Sequence, residues 1–193
     1  RVDPGSPTTR AEPGVNWGEM DRETQAFGLA TTGGTLTDTG IAGLTLGGGI
    51  GWLCRKLGLT VDNLLSMDMV TAEGEFLTAN TSTNAELFWG LRGGSGNFGI
   101  VTSFECRLHP VGTVLGGMLI HPMENARDVL TFYHKFAAEA PDELMTAAVM
   151  LTSPEGAPVV VIVVCYSGPI DSGEQLLRPL REFGQPLADL IGP

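Results

Sequence analysis

Gly94, Gly96 and Gly99, within RGGSGNFGIVTSFECRLHP (92–110), satisfy the spacing G-x-G-x-x-G. With that spacing a glycine-rich turn can hold a dinucleotide pyrophosphate at the N-terminus of the helix it opens. The chemistry needs a strand before the glycines and a helix after them. The residues here predict the reverse. TNAELFWGLR (83–92) offers Thr83 or Asn84 as an N-cap, Glu86 in the first turn, and Leu87, Phe88 and Leu91 at helical spacing. GIVTSFECRLHP alternates Val101, Ser103, Glu105 and Arg107 against Thr102, Phe104, Cys106 and Leu108, which predicts a strand with one buried face, ending at Pro110. A helix–turn–strand aims no helix N-terminus at a phosphate, and this argues against a nicotinamide enzyme of the doubly wound type.

A second glycine-rich stretch, GGTLTDTGIAGLTLGGGIG (33–51), carries more weight. Glycine accounts for 27 of the 193 residues, roughly twice its usual share. It is clustered in hydrophobic surroundings rather than periodic or spread, so main chain here must come close either to another segment or to a ligand. Successive N–H groups of such turns form an anion-binding nest that needs no lysine. Tight turns and close helix–strand packing also consume glycine, and both readings stand for residues 93–99.

Other chemistry is thinly represented. His109, His121 and His134 are scattered, without metal spacing or a paired nucleophile, and are read as structural. No Ser/His/Asp set, carboxylate pair or zinc motif stands out, so no catalytic residue is assigned and no metal is expected. Cys54, Cys106 and Cys165 are odd in number and lack C-x-x-C spacing. They read as buried thiols in a reducing compartment, the cytoplasm. A net charge of −11 without a basic run argues against nucleic acid as a partner. PVVVIVVCY (158–166), the longest apolar run, is far too short to span a bilayer and reads as a central strand.

The elements that must position these residues follow from the same patterns. Asn16 caps a helix through Trp17, Met20 and Thr24 to Phe27, stopped by Gly28, and WLCRKLGLT (52–60) is a short helix stopped by Gly58. NLLSMDMVTAEGEFLTAN (63–80) is a hairpin turning at Glu73-Gly74. After Gly112 the order becomes strand 113–122, amphipathic helix before Pro141, two strands around Pro-Glu-Gly, and a helix containing Pro179. That order predicts an antiparallel sheet with helices on one face, hence an α+β fold with a boundary near Gly112. Trp17, Trp52 and Trp89 are expected to be core or sheet-covering, and Asp62-Asn63 to cap a bend.

TTGGTLTDTGIAGLTLGGGIGWLCRKLGLTVDNLLSMDMVTAEGE, followed by NAELFWGLRGGSGNFGIVTSFECRLHPVG, closely resembles the FAD-linked oxidases of the berberine-bridge-enzyme-like group, within the vanillyl-alcohol-oxidase type of flavoproteins. The resemblance runs from about Val2 to Gly112. It implies that residues 1–112 are the second subdomain of a PCMH-type FAD-binding domain, and that 113–193 begin an antiparallel-sheet substrate domain. By carry-over, Gly34, Thr35, Thr39, Gly40 and Gly43 would approach the pyrophosphate and ribityl region of FAD. Gly49, Ile50 and Gly51 would continue that wall, and Ile100 and Val101 would offer backbone groups to another part of the cofactor. The resemblance further implies hydride transfer from a small organic substrate to the flavin, with dioxygen as acceptor.

The chain departs from that family at three points. It begins at Arg1, where the family's N-terminal subdomain with its flavin-linking histidine would end. The segment around Leu36 has no cysteine for a second flavin link, and the later sheet strands and catalytic base are missing. A fragment inactive by itself is therefore expected. The competing reading is a non-catalytic module whose glycine block packs on a partner, with a long unpaired sheet edge favouring self-association into a homo-oligomer and no membrane contact.

Overall fold

In the computed structural model, which describes residues 1–193, the chain divides into two units, Arg1–Gly112 and Thr113–Pro193. The first runs β1 (Val2–Asp3), β2 (Thr8–Ala11), α1 (Trp17–Gln25), β3 (Leu29–Ala30), α2 (Ile41–Leu46), α3 (Cys54–Leu57), β4 (Leu64–Val70), β5 (Phe76–Asn80), α4 (Ala85–Leu91), β6 (Ile100–Arg107) and β7 (His109–Pro110). Five strands pair antiparallel in the order β1-β2-β6-β4-β5, and β3 pairs with β7.

Local chemistry sets the starts and stops. Asn16 accepts from the Glu19 amide at 3.1 Å, while the Glu19 carboxylate accepts from the Asn16 amide at 3.0 Å. Such a reciprocal cap is worth about 1 kcal/mol. Gly28, at φ +67°, then turns the chain out of α1.

One face of the sheet is the core. Trp17 and Met20 of α1, Ile41 and Leu46 of α2, and Phe88 and Leu91 of α4 pack over Met67, Met69, Val101, Phe104 and Cys106. The opposite face is polar: Ser66 donates to Glu105 at 2.6 Å, and Asp68 accepts from Thr78 at 2.7 Å and pairs with Arg10.

Two expectations fail here for identifiable reasons. Strict alternation puts Val101 and Phe104 on opposite faces, yet both are buried in the same core. Asp68 pairs with Ser103 while Met69 pairs with Val101, so Thr102 is an extra residue in a β-bulge that flips the alternation. Trp89, expected to be covered, is 76% exposed, because α4 turns Phe88 and Leu91 inward and Trp89 lies off that stripe.

The second unit runs β8 (Leu115–Pro122), α5 (Ala126–Glu139), β9 (Leu144–Thr152), β10 (Pro158–Tyr166), α6 (Ile170–Glu182) and β11 (Ala188–Asp189). Its sheet is antiparallel in the order β11-β8-β10-β9. Val129 of α5 and Leu177 and Leu180 of α6 pack on Leu115, Leu119, Val160, Ile162 and Val164. Pro179 sits within α6 without ending it. The α+β class read from the pattern is the class found.

His121 on β8 is fully buried, and neither ring nitrogen has a hydrogen-bond partner. Burial lowers its pKa from the ordinary 6.5. The folded chain therefore refuses a proton that the unfolded chain accepts below pH 6.5. Stability should be full above that pH and fall as pH drops through it, by up to about 1.4 kcal/mol per pH unit. Urea midpoints at pH 7.5 and 5.5 should differ, and His121→Leu should shrink the difference.

Candidate functional site

Residues 33–51 form a loop closed on itself. At one end Gly33 and Gly34 lie on the Trp17 ring, so closely that a Cβ on Gly34 would stand 3.1 Å from Trp17 Cδ1. At the other end a Cβ on Gly51 would fall within the Gly33 carbonyl group, so the first and last glycines of the stretch are in main-chain contact. Between them the loop caps α1: the Trp17 amide donates to the Thr39 carbonyl at 2.9 Å and the Gly18 amide to the Thr37 carbonyl at 2.8 Å. The positive end of α1 is thus satisfied by the protein itself.

The wall Gly48–Gly51 is held from behind by the 3-10 turn Thr60–Asn63. The Thr60 amide donates to the Gly49 carbonyl at 3.0 Å and the Val61 amide to the Gly48 carbonyl at 3.1 Å. Gly49, at φ +80°, lies against the Thr60 side chain with no room for a Cβ. Cys54 Sγ accepts from the Gly51 amide at 3.0 Å. The turn is anchored in its own right. Buried Asn63 donates to the Leu57 and Leu59 carbonyls, both at 3.0 Å, and its amide oxygen contacts His109 Nε2 at 2.7 Å. With the Asn63 amide nitrogen so engaged, His109 is the donor. Burial, then the charge of Arg107, lowers the His109 pKa. Asp62 accepts from the Leu59 amide at 2.9 Å and pairs with Arg92, whose Nε donates to the Val61 carbonyl. Asp62 and Asn63 cap the bend.

The second glycine segment meets the first. A 3-10 turn at Ser95–Phe98 follows α4 and packs against α2. Gly90 and Gly94 lie under the Phe98 ring, and the Gly94 amide donates to the Gly90 carbonyl at 2.9 Å. The order is helix, turn, strand, so these glycines open no helix.

The ten residues singled out from the sequence divide into three sets. Gly34, Thr39, Gly49 and Gly51 are packing and capping positions of the loop. Thr35, Gly40, Gly43 and Ile50 are exposed, and nothing lies within 4 Å of a Cβ built on Gly40 or Gly43. Ile100 is 73% exposed and Val101 is buried, but both share a main-chain feature. β2 pairs with β6 only from Phe104 to Arg107, so the edge of Ile100–Ser103 facing away from β4 has no strand against it.

Beside that free edge lies a cavity of about 580 Å³, lined by Ala11, Glu12, Val15, Met20, Thr102 and Ser103 among others. A second, of about 500 Å³, is lined by Leu59, Val61, Trp89, Arg92 and Phe98 among others. Neither set of residues was marked as a site in the sequence, where Thr102 is an ordinary strand position. The early stop of β2 creates the first cavity, and only pairing reveals it. The three cysteines are free, and burial followed by the charge of Glu105 pushes Cys106 up to about 12, which rules it out as a nucleophile at neutral pH. No group of three or more His, Cys, Asp or Glu side chains is placed to hold a metal ion. No helix is long and apolar enough to cross a membrane.

Comparison with known proteins gives a consistent result. Residues 1–80 match an FAD binding domain. The chain is 38% identical to an FAD-linked oxidoreductase of Dictyostelium discoideum, over 99% of this chain and 42% of that protein. It superposes on the crystal structure of 6-hydroxy-D-nicotine oxidase from Arthrobacter nicotinovorans with a TM-score of 0.92 and 31% identity, covering 100% of this chain and 43% of the other. With the berberine-bridge-enzyme-like protein 1 of Physcomitrella patens the TM-score is 0.86 at 27% identity, covering 97% of this chain and 41% of that one. The chain spans about two fifths of the length of the relatives it matches.

The split among the glycines predicts opposite outcomes for one mutation. Gly51→Ala drives a methyl into the Gly33 carbonyl and should destabilise by about 1–3 kcal/mol. Gly43→Ala meets nothing and relieves a glycine inside a helix, so it should stabilise by about 0.5–1 kcal/mol. Urea unfolding of both variants checks the pair.

Proposed function

The chain belongs to the FAD-linked oxidoreductases, and on that premise we propose that the protein oxidises a small organic substrate by hydride transfer to FAD, with dioxygen as the acceptor that restores the oxidised cofactor. The observation that carries the reading is the meeting of the two glycine segments, α2 against the turn Ser95–Phe98, beside main chain that the fold leaves open.

The residues fit an extended dinucleotide. The exposed main chain at Thr35, Gly40 and Gly43 can bring N–H groups to a pyrophosphate without a side chain intervening, and no cation is needed for such a nest. Gly48–Gly51 would form a rigid wall, because Thr60, Val61 and Cys54 already consume its inward-facing groups. Ile50, 65% exposed, would lay an apolar side chain along the cofactor. The free edge at Ile100–Ser103 supplies main-chain donors and acceptors next to the 580 Å³ cavity, room enough for a planar group.

The roles of these residues are to bind, to orient and to exclude water. No residue of this chain is assigned as the base. The substrate is a small molecule, and sequence relatives support no non-catalytic interaction module. A cytoplasmic location and self-association through an exposed sheet edge complete the reading.

Titration of the purified chain with FAD, followed by quenching of flavin fluorescence, tests it. The wild type should quench. Gly43→Val, whose Cβ would meet no atom beyond its own helix, should bind at least tenfold more weakly with an unchanged far-UV spectrum. No quenching by the wild type, or equal binding by the variant, would overturn the assignment.

A further inference from the structure

His109, read from the sequence as structural, is fastened to both ends of the loop 33–51. Its main chain is fixed on both sides. His109 pairs with Ala30 of β3, the Leu108 amide donates to the Pro7 carbonyl at 2.8 Å, and the Val111 amide donates to the Gly28 carbonyl at 3.1 Å. Ala30 shortly precedes Gly33, so the backbone of His109 borders the entry to the loop. The side chain reaches the exit. Nε2 donates to Asn63 Oδ1 at 2.7 Å, and buried Asn63 spends its own N–H groups on the Leu57 and Leu59 carbonyls, both at 3.0 Å. Leu59 leads directly into Thr60 and Val61, whose amides hold the Gly49 and Gly48 carbonyls. A separate bond ties the same two ends: the Thr32 hydroxyl donates to the Gly58 carbonyl at 2.8 Å. Every donor and acceptor in this series belongs to Arg1–Gly112 and is already paired there.

We propose that His109 is a positioning residue for the cofactor: acting through Asn63, it sets the turn Thr60–Asn63 and so fixes where the main chain of Gly48–Gly51 stands. The proposal rests on the reading of Gly48–Gly51 as a cofactor wall. The Asn63 amide oxygen is buried, and without the His109 donor it would be left unpaired. Rotating the Asn63 side chain to find another donor would give up the Leu57 or Leu59 carbonyl. Either response loosens the turn behind the wall, and the cost of ordering the wall would then fall on cofactor binding. Reach matters here, not charge. The neutral ring with its proton on Nε2 and the imidazolium both donate to Asn63, so the role needs no titration.

Two variants of the full 193-residue chain separate donor reach from packing. His109→Gln carries an amide N–H at the same number of bonds from Cβ as Nε2, whereas His109→Asn carries the same group one bond shorter. His109→Asn should speed hydrogen exchange at the Thr60 and Val61 amides about tenfold. It should weaken FAD binding, read by flavin fluorescence, by about the same factor, with the β6 amides and the far-UV spectrum unchanged. His109→Gln should restore both to within about twofold of the wild type. Equal behaviour of the two variants, or either change in His109→Asn without the other, would overturn the proposal. A wild-type chain that ignores FAD would overturn the cofactor reading, while exchange at Thr60 and Val61 would still decide whether His109 holds the wall.

Discussion

The contact on which the first unit depends is the approach of Gly51 to the Gly33 carbonyl. Two ends of one loop touch with no side chain between them, over the ring of a buried tryptophan. A methyl group at Gly51 would part them. With the contact in place, Gly48 and Gly49 present their carbonyls to the Thr60–Asn63 turn, and residues 34–40 are carried to the N-terminus of α1. The loop therefore costs little further entropy when a ligand arrives, because its inward hydrogen bonds are already made. What it leaves open, at Gly40 and Gly43, is main chain at the surface.

Much of the architecture was legible because it rests on period and punctuation. The Asn16 cap, the Gly28 stop, the hairpin turning at Gly74 and the helix-before-glycine order all follow from neighbours within a few residues. The bulge at Thr102 was not legible. It is a decision of pairing between β4 and β6, some thirty residues apart, and alternation alone places Val101 on the wrong face. Trp89 shows the same limit from another side: a tryptophan is expected to be covered, while the stripe of Phe88 and Leu91 decides which way α4 faces.

The glycines teach a finer distinction. From the sequence, a glycine that admits a ligand and one that admits a neighbouring carbonyl are the same letter. The structure sorts Gly49, Gly51 and Gly94 into packing and leaves Gly40 and Gly43 free. The resemblance to FAD-linked oxidases supplied the ligand, but it could not tell which positions the fold uses for itself. Nor could it find the cavity beside Ile100–Ser103, since that space exists because β2 ends early.

Hydrogen–deuterium exchange of the whole chain, with and without saturating FAD, tests most directly whether the open main chain is the cofactor surface. The account predicts slowed exchange concentrated in residues 34–43 and 99–103, while amides of Gly48–Gly51 that are already bonded change little and α6 not at all. Protection spread evenly over the chain, or confined to residues 113–193, would contradict it.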